Sequence, residues 1–185
     1  MGSVEYRLAV LRPSYPLKTA RMSLRPYEMD DLTALHDMFG REDICRYLPW
    51  EPMDLDQARA KIEQRVGQTH IEADGDPLVV AAVEDASGRV VGEFMLRLAS
   101  SSSRQGEIGW SLIPEVHGRG LATEALRAMT ALAAQHGVAV MVAVTSVDNL
   151  ASQRVLERAG FTRLLGTIQD DEDGPMLRWE LLLRD

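Results

Sequence analysis

The sequence predicts an α+β (mixed α/β) domain in which helices cover both faces of a central, mostly antiparallel, seven-stranded sheet. Three observations lead to this fold class. Strand-like and helix-like segments are interspersed along the whole chain. A glycine-rich turn, Gly118–Gly120, connects a strand to a long helix. The run Val138–Val144 has the length and the valine content of a strand that is buried on both faces.

The length of the chain, 185 residues, is typical of one domain with its own hydrophobic core. Residues 1–17 show no hydrophobic period and contain Pro13 and Pro16. We therefore expect an N-terminal arm over 1–17, followed by a single domain over 18–185. The longest apolar run has seven residues, whereas a membrane-spanning helix needs about 20. The sequence therefore predicts no membrane partner.

The charge and the cysteine content limit the partners further. The formal net charge is −8, which argues against binding to nucleic acid or to an anionic membrane and is compatible with a cationic amine. The single cysteine, Cys45, excludes an internal disulfide and fits a cytoplasmic location. The four histidines lack the spacing of metal ligands, so we expect no metal. These histidines are His36, His70, His117 and His136.

The N-terminal half is predicted to form three strands and two helices. The first strand lies near Thr19–Arg25, and a hairpin with a turn at Ser87-Gly88 supplies the next two. Asp54 can cap the second of the two amphipathic helices. These helices are predicted over Asp30–Phe39 and Asp54–Thr69, and the two strands of the hairpin over Leu78–Glu84 and Arg89–Leu98.

The C-terminal half is predicted to form four strands and two helices. The long helix after the glycine-rich turn carries an apolar stripe that suits packing on a sheet. In chain order the predicted elements are a fourth strand Gln105–Ile113, a helix Gly118–His136, a fifth strand Val138–Val144, a helix Asn149–Ala159, a sixth strand Phe161–Gln169, an acidic turn Asp170–Gly174 and a seventh strand Met176–Leu183.

The glycine-rich turn is a candidate phosphate site because glycine lets backbone amides approach a ligand and a helix N-terminus favours an anion. A triphosphatase loop needs a lysine that this chain lacks, and the acidic residue of a dinucleotide fingerprint is missing near position 140. The turn resembles the coenzyme A loop of the GNAT N-acetyltransferases, Gln/Arg-x-x-Gly-x-Gly/Ala. It matches at Gly120 and Ala122, with His117 in the first position. A turn that only packs the helix on the sheet stays an alternative.

A second segment, Ser146–Phe161, resembles the Asn-x-x-Ser…Glu-x-x-Gly-Phe signature of the same superfamily. Asp148 or Asn149 can cap its helix, and Gly160 can end it. Asn149 and Ser152 share one helical face, where a bound pantetheine could satisfy their polar groups. Simple capping by Asn149 with a solvated Ser152 is the alternative.

The N-terminal third is similar to the Rim-type branch, the ribosomal-protein N-terminal acetyltransferases. The similar segments are Thr19–Pro26, Glu28–Leu32 and Arg46–Trp50, and the resemblance extends from about Lys18 to Leu183. It implies the GNAT fold, in which the fourth and fifth strands splay apart and pantetheine fills the gap like an added strand.

The resemblance also implies acetyl-CoA as the acyl donor. Backbone amides of 117–122 are expected to hold the pyrophosphate, and an amide near Leu112 or Ile113 to polarise the thioester carbonyl. Arg119, Arg154 and Arg158 are candidates for local positive charge, with ordinary surface ion pairs as the alternative. The residues expected at the cofactor are Ile113, His117, Gly118, Arg119, Gly120, Leu121, Ala122, Thr123, Asn149, Ser152 and Arg154.

Catalytic roles are assigned to three residues. The resemblance implies that Ser152 orients the leaving thiolate or relays a proton to it, and that Asn149 contacts pantetheine. Glu107 is the candidate general base, with Glu93 on the neighbouring strand as a second carboxylate. For both glutamates a solvent-facing strand position is the alternative.

We expect the loop 47–53 to roof an acceptor pocket, with Tyr47, Trp50 and Trp110 as acceptor-binding residues. Trp50 could instead only anchor the helices. The predicted function is acetyl-CoA-dependent N-acetylation of a primary amine, such as a protein or peptide N-terminus, by direct attack in a ternary complex. A small amine (aminoglycoside, polyamine or amino-acid-like) and a non-catalytic acyl-CoA-binding regulatory domain are alternatives, and a homodimer stays open.

Overall fold

A computed structural model describes residues 10–166, 168–170 and 174–183, which contain nine strands and five α-helices. The strands are β1 Leu17–Lys18, β2 Met22–Arg25, β3 Pro77–Glu84, β4 Val90–Ser100, β5 Gln105–Leu112, β6 Val140–Ser146, β7 Thr162–Arg163, β8 Ile168–Asp170 and β9 Gly174–Leu182. The α-helices are α1 Leu32–Phe39, α2 Glu42–Cys45, α3 Leu55–Gly67, α4 Leu121–Gln135 and α5 Leu150–Ala159. Short 3-10 helices span Met29–Asp31 and Pro114–Val116.

All nine strands belong to one sheet in the order β1-β2-β3-β4-β5-β6-β9-β7, with β8 paired to β9. Every neighbouring pair is antiparallel except β5 and β6, which are parallel and joined through α4. The predicted mixed, mostly antiparallel fold class is confirmed. The prediction of seven strands is two short. The two-residue β1 precedes the first predicted strand, Thr19–Arg25, which is β2, and the sixth predicted strand is divided into β7 and β8.

The start of α3 and both ends of α5 lie where local capping signals predict. Asp54 caps α3 by accepting from the amide of Gln57 at 2.8 Å, and Asn149 caps α5 by accepting from the amide of Ser152 at 3.0 Å. Gly160 ends α5 with a φ of 97°. One helix was missed by the sequence prediction, the four-residue α2, which lies between the two predicted helices in a segment without a predicted element.

The helix after the glycine-rich turn starts at Leu121, three residues later than predicted. Gly118 and Gly120 have φ angles of +73° and +81°, in the left-handed region, so the chain becomes helical only after them. The predicted apolar stripe of α4 is buried, since each of its residues is at most 6% exposed. These residues are Leu121, Ala125, Met129, Leu132 and Ala133.

The described part of the predicted N-terminal arm is attached to the domain. Leu11 exchanges two backbone hydrogen bonds with Ile71, both at 3.0 Å, and is only 4% exposed. The hydroxyl of Tyr15 donates to the carbonyl of Thr69 at 2.8 Å. Residues 1–9, which make up the rest of the arm, lie outside the described residues. None of the described helices combines the length and the apolar character that a membrane span requires.

The strands β5 and β6 separate towards their C-terminal ends. They pair only from Gln105 opposite Val140 to Glu107 opposite Val142, although β5 continues to Leu112 and β6 to Ser146. The predicted splay of the fourth and fifth strands is therefore present, and we call the open space the β5–β6 gap. It corrects one prediction: Val144 is 42% exposed, so this end of the strand is not buried on both faces.

Candidate active site

The loop between β5 and α4 presents a row of backbone amides that have no protein partner. Among the described residues, the amides of Gly118 to Thr123 donate no hydrogen bond, and the first helical bond is made by Glu124, whose amide donates to the carbonyl of Gly120 at 3.1 Å. Side chains do not cap this end of α4. Unpaired amides at a helix N-terminus form an anion site because they combine donors with the positive end of the helix dipole.

His117 differs from the other residues predicted at this loop. Its amide donates to the carbonyl of Pro114 at 3.0 Å and is not available to a ligand. Its Nε2 lies 2.9 Å from the carbonyl oxygen of Leu112, so this nitrogen carries the ring proton and donates to that oxygen. The amides without a protein partner thus begin at Gly118, one residue later than in the predicted run 117–122. The ring of His117 instead holds the end of β5.

The side chain of Arg119 is paired rather than free for a phosphate. Its Nη2 lies 2.5 Å from Oε1 of Glu84. The other oxygen of this carboxylate, Oε2, accepts from the hydroxyl of Ser87. Hydrogen bonds from Ser87 and Arg119 lower the pKa of Glu84 below its ordinary value. The loop is therefore fastened to the end of β3 through Arg119.

The β5–β6 gap is lined by backbone amides of β5. Ile113 donates its amide to the carbonyl of Val91 in β4 at 3.0 Å, so the thioester cannot use it. Backbone groups point to alternate sides along a strand, so the amides of Leu112 and Trp110 face away from β4 and into the gap. Of the two amides expected to polarise a thioester, that of Leu112 faces the gap and that of Ile113 does not.

The start of α5 faces the other side of the gap. The side-chain oxygen of Asn149 is used for capping, which leaves its Nδ2 as a donor without a partner in the described chain. The hydroxyl of Ser152 likewise makes no hydrogen bond to a described residue, and Ser152 is only partly exposed. Capping by Asn149 and an unpaired Ser152 hydroxyl therefore occur together, and each leaves one polar group for a ligand.

An open groove with a volume of about 630 Å³ lies beside Gly120. Its lining residues include three arginines, Arg21, Arg127 and Arg158, and one carboxylate, Glu124. Glu124 forms an ion pair with Arg21. Arg154 is exposed one helical turn before Arg158, on the same face of α5. Of these two arginines, Arg158 lines the groove, where a positive charge suits an anion.

The two candidate bases are both paired with arginines. Glu107 lies on the last paired row of β5 and β6, where its carboxylate accepts from Arg97. Glu93 is 6% exposed, and both of its oxygens accept from Arg65 of α3, at 3.0 Å and 2.8 Å. The solvent-facing alternative is therefore wrong for Glu93, because α3 covers this face of the sheet.

Trp50 packs between helices. Its ring meets Phe39 edge to face with centroids 5.8 Å apart, and Nζ of Lys61 lies 3.8 Å from its centroid. The indole nitrogen is buried without a hydrogen-bond partner among the described residues. Burial lowers the pKa of Lys61 to about 8, with the nearby charge of Arg65 acting in the same direction. These contacts favour the anchoring interpretation of Trp50.

The segment from Arg41 to Tyr47 crosses the open end of the gap. Arg41 is paired at 2.7 Å with Glu115, which follows β5, and the hydroxyl of Tyr47 lies 3.4 Å from the carbonyl of Asp148, which follows β6. Tyr47 thus lies at the open end of the gap. Trp110 pairs with Phe94 across β4 and β5 and packs against the core, on the sheet face opposite that of Glu93.

Sequence reasoning missed three residues that shape this site. Arg21 pairs with Glu124, 103 positions away, and Arg41 pairs with Glu115, 74 positions away, and no local pattern indicates such partners. Gly92 lies opposite Leu112, where a Cβ would be 2.5 Å from the carbonyl oxygen of Ser111. An isolated glycine inside a strand was the one available signal. No group of three or more potential metal ligands lies together in the described residues.

Comparison with known proteins identifies the family of a chain with this fold and site. The model of the family described as "Acetyltransferase (GNAT) domain" matches residues 21–162. The chain therefore belongs to the GNAT acetyltransferase family, and it is an acetyltransferase with acetyl-CoA as the acyl donor. The resemblance to GNAT enzymes is confirmed.

Similar proteins include one relative by sequence and two solved structures with the same fold. The "Uncharacterized N-acetyltransferase YoaA" of Bacillus subtilis (strain 168) is 26% identical over 149 residues, which cover 80% of this chain and 82% of that protein. A putative ribosomal-protein-serine acetyltransferase from Vibrio cholerae superposes with a TM-score of 0.78 at 17% identity, covering 92% of this chain and 99% of that one. The aminoglycoside acetyltransferase AAC(6')-Ib in complex with coenzyme A superposes with a TM-score of 0.71 at 21% identity, covering 87% and 94%.

Proposed function

We propose that this protein transfers an acetyl group from acetyl-CoA to a primary amine by direct attack in a ternary complex. One observation carries the proposal: the unpaired amides of Gly118–Thr123 lie directly beside the β5–β6 gap. An anion site next to an unfilled position in a sheet suits a ligand with a pyrophosphate and an extended amide-bearing arm. Coenzyme A has both parts in this order.

The pantetheine arm would lie in the β5–β6 gap as an added strand. Its amides would pair with the backbone groups of Trp110 and Leu112, which face the gap. The amide of Leu112 would donate to the thioester carbonyl and stabilise the oxyanion, and one such donor contributes roughly 3 kcal/mol in other enzymes. His117 supports this position because it holds the carbonyl of Leu112.

The anionic end of the cofactor would continue into the groove beside Gly120. Arg127, Arg158 and Arg154 would supply the positive charge that a 3'-phosphate requires, in a protein whose net charge is −8. Arg119 would act through its backbone amide, since its side chain is paired with Glu84.

The remaining polar groups of the site suit proton handling. The free Nδ2 of Asn149 would contact pantetheine, and the unpaired hydroxyl of Ser152 would orient the leaving thiolate or relay a proton to it. Glu107, at the vertex of the gap, is the proposed general base for the protonated amine.

We propose a peptide N-terminus as the acceptor, as in the Rim-type branch. The supporting observation is an exposed, partly apolar sheet surface next to the gap, where Val144 is 42% and Ile168 43% exposed and Met176 lies between their strands. An extended chain fits such a surface. The contact of Tyr47 with Asp148 narrows the open end of the gap and favours the second candidate, a small amine. The cytoplasmic location, the homodimer and the exclusion of nucleic acid stay predictions.

The experiment is thiol release from acetyl-CoA against a panel of amines, with product masses recorded. The panel contains peptides that begin with Ala, Ser, Thr or Met, one aminoglycoside, spermidine and free amino acids. Amine-dependent release with a mass gain of one acetyl group on a peptide supports the proposed acceptor. Acetylation of only the small amines overturns the peptide assignment and leaves the transferase reaction in place.

Two variants test the site itself. Gly120→Glu places bulk and negative charge at the unpaired amides, so it should abolish the binding of coenzyme A. Ser152→Ala should lower kcat while coenzyme A still binds, because the hydroxyl acts at the leaving group. Wild-type binding in Gly120→Glu would remove the loop from the proposal, and full activity in Ser152→Ala would remove the serine from the mechanism.

A further inference from the structure

The side chain of Arg21 connects the first two strands to the cofactor loop. Arg21 lies in the turn between β1 and β2. Its Nη1 donates to the carbonyl oxygen of Arg119 at 2.8 Å, and its Nε and Nη2 lie 2.8 Å and 2.7 Å from Oε2 of Glu124. Its own backbone amide donates to the other oxygen of Glu124 at 2.8 Å. One residue thus holds both the loop and the first turn of α4.

The contact with Arg119 fixes the direction of a ligand-facing amide. In a trans peptide the C=O and the following N–H point in opposite directions. Because the carbonyl of Arg119 points at Arg21, the amide of Gly120 points away from Arg21, towards the unpaired face of the loop. A Cβ on Gly120 would lie 3.6 Å from Nη2 of Arg21, which shows how closely the guanidinium follows the loop.

The charge of Arg21 is balanced within the protein. Burial opposes the ionisation of Glu124, but hydrogen bonds from Thr19 and Arg21 outweigh it and keep the pKa of Glu124 below its ordinary value. Thr19 donates to the same carboxylate at 2.6 Å. Because its charge is already paired with Glu124, the guanidinium of Arg21 is not a free cation for a phosphate. Its effect is on the backbone of the loop, which it holds through the carbonyl of Arg119.

We propose that Arg21 is a positioning residue for the pyrophosphate of coenzyme A, which it serves by aiming the amide of Gly120. This inference rests on the proposed function, because it needs a pyrophosphate at these amides. It also gives a role to the N-terminal segment Thr19–Pro26, which resembles the Rim-type branch but contributes no group to the chemical step.

The test compares Arg21→Met with Arg25→Met. Both arginines form ion pairs with a carboxylate, but the pair of Arg25 with Asp31 is less exposed, with side chains 27% and 10% exposed against 46% and 17% for Arg21 and Glu124. Arg25→Met should therefore lower the thermal stability more, since exposed pairs stabilise little. Arg21→Met alone should weaken the binding of coenzyme A, about tenfold, as expected when hydrogen bonds to a charged donor are lost.

The kinetic readout separates positioning from a general structural effect. Arg21→Met should raise KM for acetyl-CoA and leave kcat at saturating acetyl-CoA unchanged, because the amide of Leu112 and the start of α5 are not touched. An equal weakening of coenzyme A binding in Arg25→Met, or a fall in kcat that matches the rise in KM, would overturn the proposal.

The choice of ligand separates positioning from direct contact with the 3'-phosphate. Isothermal titration with coenzyme A, 3'-dephospho-coenzyme A and pantetheine measures the loss for each. Positioning of the pyrophosphate predicts the same fold loss for the first two ligands and none for pantetheine. A loss confined to coenzyme A means that Arg21 binds the 3'-phosphate directly, and an equal loss for pantetheine means a general defect; both outcomes contradict the inference.

Gly120→Glu distinguishes failure of this inference from failure of the proposed function. If Gly120→Glu abolishes binding and Arg21→Met binds like the wild type, the pyrophosphate site stands and the role of Arg21 is wrong. If Gly120→Glu binds coenzyme A normally, the pyrophosphate does not lie at these amides, so the loop is removed from the proposed function and the role of Arg21 fails with it.

Discussion

Replacing Gly92 by alanine is expected to impair acetyl transfer while the binding of coenzyme A survives. Gly92 lies in β4 directly opposite Leu112 of β5. A Cβ at this position would lie 2.2 Å from Cδ2 of Leu112 and 2.5 Å from the carbonyl oxygen of Ser111. The leucine side chain can rotate, but the oxygen belongs to the backbone, so β5 has to move at the point where the thioester is proposed to lie.

The size of this movement follows from the contact distances. Real Cβ atoms essentially never approach a neighbour within 3.0 Å and rarely within 3.4 Å, so the Ser111 oxygen has to retreat by about 0.5 to 0.9 Å. A misplacement of about 1 Å can cost about 100-fold in rate. We therefore expect kcat to fall by about 10- to 100-fold, with a loss of stability of about 1–3 kcal/mol from overpacking.

Three measurements check this prediction. They are kcat from thiol release at saturating acetyl-CoA, Kd for coenzyme A by titration calorimetry, and Tm. Gly67→Ala is the matched control, because no heavy atom lies within 4 Å of a Cβ at that position at the end of α3. A folded Gly92→Ala variant with wild-type kcat would refute the reasoning, since it would show that the position of this end of β5 does not limit the reaction.

Three further predictions concern single residues. Asn149→Ala should cost about 1 kcal/mol of stability through the lost cap, whereas Asn149→Asp should keep the cap. Both variants should raise KM for acetyl-CoA, because both lack Nδ2. A wild-type KM in both would mean that Asn149 only caps the helix. The pKa of Lys61 is lowered to about 8 from 10.5, so the unfolded state binds more protons between these pH values and the free energy of unfolding rises with pH there. Lys61→Met should lose this rise, about 2–3 kcal/mol in urea denaturation across that window, and curves parallel to the wild type would contradict it. Glu107→Gln should change the pH dependence of kcat/KM on its acidic side, and an unchanged profile would exclude Glu107 as the base.

Local signals in the sequence predicted the elements that present the ligand-binding groups. Asp54, Asn149 and Gly160 cap helices through contacts within three or four residues, which a sequence pattern can specify. The left-handed conformation of Gly118 and Gly120 is a property of glycine itself. These features required no knowledge of how distant segments meet.

The features that sequence reasoning missed depend on long-range contacts. The burial of Glu93 follows from the position of Arg65, which lies 28 residues earlier on α3. Val144 lies beyond the last paired row of β5 and β6 and is 42% exposed, although the apolar composition of its segment predicts a buried strand. Propensity and period describe a strand by itself, whereas these two outcomes are decided by which neighbour covers it.

The β5–β6 gap divides the sheet into two parts that are joined at one end and separate towards the other. Only three rows of residues join β5 to β6, from Gln105 to Glu107, so the connection between the two parts is short and lies at one end of the gap. One part carries the amide of Leu112, and α5, which follows β6 of the other part, carries Ser152. These two groups flank the proposed thioester. A bound pantetheine would connect the two parts of the sheet. The angle between these parts therefore sets the distance across which the acetyl group is released.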